Sequence, residues 1–236
     1  MKLKLACIAS FLVSLPAFAG DVTIGNLTTQ AQFRALSEDL GAALSYKPLT
    51  PAAPLGVLGF DMGVAVTTTK LENSAVLKQA GGGDHSSVAT PTLRFNLGLP
   101  LGIDAGAMYG AIPGTNIRLV GGELRYAILS GGVAEPAIGL RGSYTKLTGV
   151  DQLELNTRGV DVSISKGFAI FTPYAGVGKV WVSSTPVGVP LFAKESFSLN
   201  KVFVGANLNL GVVNIALEGD RTGDATSYGV KIGFRF

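Results

Sequence analysis

A strict two-residue alternation constrains this chain more than any other feature. From Tyr228 to Phe236 every second residue is large and apolar: Tyr228, Val230, Ile232, Phe234 and Phe236. Between them stand Gly229, Lys231, Gly233 and Arg235. A strand points successive side chains to opposite faces, so this segment has one apolar face and one small or cationic face. It finishes on an aromatic residue, as expected of a strand that seals a barrel in lipid. The five apolar residues are expected to serve as a membrane-insertion signal.

The first residues point the same way. Lys2 and Lys4 precede an apolar run, Leu5 to Leu15, and Pro16-Ala17-Phe18-Ala19 has the small-x-small pattern of a cleaved secretory leader. Cleavage is expected after Ala19. The run is too short to span a bilayer, and nothing later reaches about 18 continuous apolar residues. Cys7 lies inside the run and leaves with it, so the mature chain has no thiol. Lys2 and Lys4 leave too, and 17 of the 19 basic residues then face 16 acids. With no basic run and no Arg patch among aromatics, no nucleic-acid partner is expected. Glycine, at 32 residues, suits a barrel whose interior must be small or polar.

Alternation predicts ten strands in an all-β, antiparallel, up-and-down, membrane-spanning barrel, with 8 to 12 strands compatible with the pattern. The first is centred on Phe60, Met62 and Val64, and the second on Leu93, Phe95 and Leu97. Further strands are expected around Tyr109, Tyr126, Leu140, Val162, over Phe171 to Val182, and around Val204, Leu217 and Ile232. Glycine-rich residues up to about Ala89, and Thr185 to Asn200, read as the two longest loops. The even-numbered connections are short, which matches periplasmic turns opposite outer loops. Aromatics fall in two sets, Phe60, Tyr126, Phe171 and Phe234 against Tyr109, Tyr144, Trp181 and Tyr228, as expected of two interfacial belts.

Before the strands, Phe33, Leu36, Leu40, Ala43 and Leu44 recur at helical spacing over Gln30 to Leu44, after Thr28-Thr29. Pro48, Pro51 and Pro54 then end the helix and form a stiff linker. The expected layout is a leader at 1–19, helix and linker at 20–55, and barrel at 56–236. Because the linker looks short, the helix is expected at the periplasmic mouth or lower lumen, as a cap or plug. Both ends of the mature chain are expected on the periplasmic side.

Phe33-Arg34-Ala35-Leu36, the Pro54 to Asp61 stretch, Glu123-Leu124-Arg125-Tyr126, Pro173 to Gly178 and the final strand carry a resemblance. The chain resembles a small Gram-negative outer-membrane β-barrel of a poorly characterised family. That resemblance implies outer-membrane localisation, lipid contact, a monomer, and periplasmic chaperones and barrel assembly machinery during biogenesis. It implies no activity.

The chemistry is sparse. His85 is the sole histidine and sits in Asp84-His85-Ser86 within a glycine-rich loop. A nucleophile and its base must be held within hydrogen-bond reach, and such a loop fixes rotamers poorly. Neither catalysis nor a cofactor or metal site is expected; an outer-membrane hydrolase centred on His85 is the weakest reading. Gly176 and Gly178 lie within a strand, with no helix following, so they do not form a phosphate loop. Asp61, Arg94, Asp104, Glu123, Arg125, Arg141, Asp161, Glu218, Lys231 and Arg235 all fall on the non-lipid parity and should line the lumen. The expected function is a structural barrel or narrow passive channel for small solutes, with surface binding through outer loops as the alternative.

Overall fold

The computed structural model describes residues 22–112, 117–132 and 134–236. The leader assigned to 1–19 and the Pro113-Gly114 turn lie outside the described residues. The chain forms helix α1 (Gln30–Leu44) and then ten strands, with a short helix α2 (Ser74–Gln79) between the first two. The strands are β1 (Phe60–Lys70), β2 (Ser87–Gly98), β3 (Ile103–Ala111), β4 (Arg118–Ser130) and β5 (Ala137–Thr148). They continue with β6 (Leu153–Ser165), β7 (Phe171–Pro186), β8 (Glu195–Leu210), β9 (Val213–Thr222) and β10 (Ala225–Arg235). Each is antiparallel to its neighbours in sequence, and β10 pairs with β1 to close a barrel. The seam ends where Phe60 N donates to Phe236 O at 3.0 Å and Phe236 N donates to Phe60 O at 2.9 Å.

Closure removes the sheet edges and leaves two faces, each obeying the alternation. Met62, Val64, Leu93, Phe95, Leu124, Tyr126, Val160, Val162 and Ile232 are exposed on the outer wall. Their neighbours Asp61, Ala65, Arg94, Glu123, Arg125, Asp161 and Lys231 are buried inside. The parity of β7, which the pattern around Pro173-Tyr174 leaves open, is settled by Tyr174, buried in the lumen, and Val177, exposed outside.

Following hydrogen-bonded partners from Phe234 through Met62, Phe95, Ala107, Gly122, Tyr144, Arg158, Trp181 and Ser198 climbs from one end of the barrel to the other. The strands are therefore tilted, as closure requires. One end carries tight turns at 99–102, 166–170 and 211–212 and the short connection from β4 to β5. The other carries 71–86 and 187–194, the two longest connections.

Three expectations need correction. The first loop is shorter than expected, because α2 occupies part of it and β2 starts at Ser87. The second is shorter still: β7 runs to Pro186 and β8 begins at Glu195. Here the alternation reverses its sense. Leu153, Leu155, Val180 and Val182 are buried inside, whereas Glu154, Ser196, Ser198 and Asn200 are exposed outside. The upper wall thus packs as a water-soluble barrel does, apolar inward, and the lower wall as a lipid-facing one.

The third correction concerns α1, which lies at the long-connection end. It begins with a capping box, in which Thr29 Oγ1 accepts from Gln32 N and Gln32 accepts in return from Thr29 N. Phe33 stacks on Phe192 of the β7–β8 connection, ring centroids 5.3 Å apart. The Asp39 carboxylate accepts from Asn73 N at 2.8 Å and Glu72 N at 3.2 Å, both in the β1–β2 connection. Leu36, Leu40 and Leu44 join Leu77, Val88, Leu119, Leu147, Leu155 and Val182 in one apolar core. An apolar helix face finds no partner in a charged lower lumen, but finds one where the wall turns its leucines inward.

Residues 45–59 then cross the lumen to the seam at Phe60. The proline-rich stretch forms no helix or strand, with Leu49 at φ 50° and bends at 52–53, and chain outside a helix advances up to roughly 3.1 Å per residue, so a linker that looks short reaches through the barrel. The described start of the chain and Phe236 consequently stand at opposite ends of the barrel.

Inward glycines make room for this crossing. A Cβ added at Gly229 would lie 2.9 Å from Leu49 Cδ2, and one at Gly139 would lie 3.1 Å from Ala52 O. Gly229→Leu should therefore lose about 1–3 kcal/mol of stability, read as a lower urea midpoint in detergent micelles. Adding Leu49→Ala to that variant should restore part of the loss, and no recovery would place the strain elsewhere.

Candidate functional site

The lumen is where the fold buries most of its charged side chains among the described residues. Its side chains belong to successive strands and project inward because each stands one residue from an outward apolar neighbour. Nine of the ten charges expected inside are buried: Asp61, Arg94, Asp104, Glu123, Arg125, Arg141, Asp161, Glu218 and Lys231. The tenth, Arg235, lies at the turn end with its side chain 15% exposed.

These charges form paired groups. Lys231 Nζ donates to both oxygens of Asp61 at 2.7 Å, and Arg235 Nε approaches the same carboxylate at 3.9 Å. Arg141 donates to Asp161 Oδ1 at 2.7 Å and to Glu123 Oε2 at 3.2 Å. Arg125 Nη2 donates to Asp104 Oδ2 at 2.5 Å. Arg94 meets no carboxylate among the described residues; its guanidinium instead stacks 4.7 Å from the Tyr46 ring centroid.

The same groups bind the crossing segment. Arg125 Nη1 donates to Pro51 O at 2.7 Å, and Leu55 N donates to Asp104 Oδ1 at 3.1 Å. Leu49 N donates to Glu218 Oε2 at 2.7 Å, and Tyr174 OH donates to that oxygen at 2.9 Å. Ala52 N donates to Ser165 Oγ at 3.1 Å. A proline-interrupted segment has no helix or strand to satisfy its backbone, so the wall supplies the partners.

A further cluster was not foreseen. Lys47 Nζ donates to Asp220 Oδ1 at 2.8 Å, to Ser227 Oγ at 3.1 Å and to Ala42 O at 3.0 Å. Lys201 donates to the Tyr46 carbonyl. Lys201 and Asp220 share the inward parity of β8 and β9, which could have revealed them. Lys47 carries no periodic signal, because its segment has none.

The other singled-out residues sit outside the lumen. Asp84 and His85 fall in the β1–β2 connection at the long-connection end. The fully exposed Asp84 carboxyl accepts from Lys78 Nζ at 2.5 Å, which holds it below the usual carboxylate range. Gly176 and Gly178 lie in β7, packed against the Phe203 ring and the backbone of β6. Tyr228, Val230, Ile232, Phe234 and Phe236 are all exposed on the outer wall. In α1, burial pushes the Asp39 carboxyl above its ordinary range, against the pull of its backbone N–H donors.

No family model matches the chain, and no curated protein matches it. Solved barrels are similar in fold. The N-terminal barrel domain of Pseudomonas aeruginosa OprF is 13% identical, over 77% of this chain and 99% of that one, with a TM-score of 0.38. The outer membrane protease OmpT from Escherichia coli is 10% identical over 76% and 96%, with a TM-score of 0.40. The translocator domain of the autotransporter NalP from Neisseria meningitidis is 12% identical over 87% and 95%, also at 0.40. The unbroken ring of strand pairs, not these likenesses, establishes the barrel.

Removing a partner from a buried ion pair leaves an uncompensated charge. Arg125→Ala should therefore cost about 3–5 kcal/mol, measured by urea unfolding in micelles. Arg125→Lys should recover only part, since an ammonium cannot span Asp104 and Pro51 O as the guanidinium fork does. Full recovery by Lys would show that charge alone is what matters.

Proposed function

We propose that this protein is an exported outer-membrane barrel, sealed by its own N-terminal segment, that works as a rigid scaffold presenting its outer end. The supporting observation is the crossing segment itself. Residues 46–55 occupy the lumen and are hydrogen-bonded to side chains of the wall, including Lys201, Glu218, Arg125, Ser165 and Asp104. A passage for solutes needs a continuous polar gap, and here Leu49, Ala52 and the Tyr174 and Phe203 rings fill the space left by Gly229, Gly139, Gly205 and Gly176. The exposed apolar band suits lipid, since strands of 9–16 residues cover the roughly 9–11 that a tilted strand needs to cross a bilayer. The placement of the long connections with α1 at one end favours that end as outermost.

Surface binding is the second reading, favoured by how firmly the outer end is built. Gln30 and Arg34 of α1 both hold Glu195 at the start of β8, with the Arg34 Nη1 contact at 3.1 Å. Arg34 also lies 3.8 Å over the Phe197 ring. Connections tied to a helix present a fixed surface, unlike free loops.

Planar-bilayer recording separates scaffold from channel. The intact barrel should give no steady conductance, and a variant lacking residues 22–55 should give resolved steps, provided it retains the barrel's heat-modifiable migration on gels. Steady, salt-dependent conductance from the intact chain would overturn the sealed reading.

A further inference from the structure

The outer wall carries a second polar feature that the lumen does not explain. On β5, β6 and β7, Lys146, Arg158 and Lys179 are exposed and point outward, on the face that lower down carries only apolar residues. Lys146 pairs with Asn156, two residues above Arg158, and Lys179 pairs with Val160, two residues below it. The hydrogen-bonded register climbs with strand number, so a descent of two residues per strand keeps the three cations near one height. That height is the level of the aromatic belt, because Arg158 pairs directly with Tyr144 on one side and Trp181 on the other.

None of the three side chains meets an acid or a hydrogen-bond acceptor among the described residues. The basic groups nearby are accounted for differently. Arg221 on β9 is bridged to Asp224 at 3.2 Å, and the exposed acid Glu154 lies farther up β6, away from the apolar band. Beside Arg158 a shallow groove opens between β6 and β8, with Trp181 at its edge, Lys194 across it, and Ser183 and Ser198 along its walls. Two cations thus face a groove that no carboxylate lines among the described residues. Directly below lie Val160, Val177, Val202 and Val204.

The feature is confined to one end. The outward wall near the tight turns carries no Lys or Arg among the described residues, and Lys166, in a turn there, donates to the Gly132 and Glu135 carbonyls.

We propose that this patch is a docking site for a lipid whose headgroup carries phosphate groups, held in the leaflet next to the long-connection end. The cations meet the phosphates, the hydroxyls of the groove take the remaining phosphate and sugar oxygens, and the valine wall below receives the acyl chains. Recognition is of charge joined to a hydrocarbon anchor, which sets it apart from a site for free phosphate. The site rests on the reading of this chain as an outer-membrane barrel.

Native mass spectrometry of the folded barrel in detergent tests it, with diphosphoryl lipid A as the probe. The wild-type barrel should retain the lipid, and enzymatically dephosphorylated lipid A should bind about tenfold more weakly or worse. Lys146→Gln, Arg158→Gln and Lys179→Gln together should produce the same loss, whereas Lys70→Gln on the opposite wall should not. Millimolar inorganic phosphate should not displace the lipid. Equal retention of the dephosphorylated lipid by the wild-type barrel would overturn the site, even if the triple variant failed to fold. Displacement by inorganic phosphate would overturn it in favour of a free-anion site. Failure of the outer-membrane reading would show separately, as absence of the chain from the outer-membrane fraction of expressing cells.

Discussion

A charge inside a closed barrel can turn only to another charge or to whatever else occupies the lumen, and that constraint organises this protein. Arg125 is the clearest case, since one guanidinium holds Asp104 of the wall and the Pro51 carbonyl of the crossing chain. Glu218 does the converse, accepting from Leu49 N and from Tyr174 OH on the same oxygen. Lys231 with Asp61, and Arg141 with Asp161 and Glu123, pair within the wall, but Arg125, Asp104 and Glu218 also take partners from the crossing segment, whose backbone depends on them. Desolvating so many ionised groups is tolerable only because their partners are already in place. Barrel and crossing segment therefore share one polar network, although the chain writes them one after the other.

The two halves of the barrel solve opposite solvation problems with the same strands. Along β6 the inward residues change from Leu153 and Leu155 to Asp161 and Ser163, and the outward ones from Glu154 and Asn156 to Val160 and Val162. Above the crossover the outer wall is polar and the apolar helix α1 lies inside. Below it the arrangement is inverted, with apolar side chains outside and paired charges inside. The aromatic and cationic side chains around Tyr144, Arg158 and Trp181 sit at the changeover.

Much of this was legible in the residues, for local reasons. The helix bounds follow from Thr29 and the spacing of Phe33, Leu36 and Leu40, and the structure returns the same span, Gln30–Leu44. The inward parity of Asp61, Arg94, Asp104, Glu123, Arg125 and Lys231 follows from neighbours one residue away. The upper half of β8 was not legible, because Ser196, Ser198 and Asn200 stand where an outward apolar residue was sought. Alternation survives there, but with its sense reversed, and a search for lipid-facing strands reads it as loop. The Lys47–Asp220 contact joins a segment without periodicity to a strand far along the chain.

By itself the sequence pointed to about ten strands, the face most strand side chains take and the helix in front, since each depends on spacing of two or four residues along one chain. Only the tertiary structure decided where that helix goes and what the inward glycines are for. Pro48, Pro51 and Pro54 exclude a helix, and nothing in their spacing says which way the chain runs. Its direction is set by distant partners: leucines that turn inward only at the long-connection end, and Asp104, Glu218 and Ser165 that wait along the lumen for backbone N–H groups. Those partners exist only once β10 has closed on β1, because closure brings them round the one segment that can satisfy them.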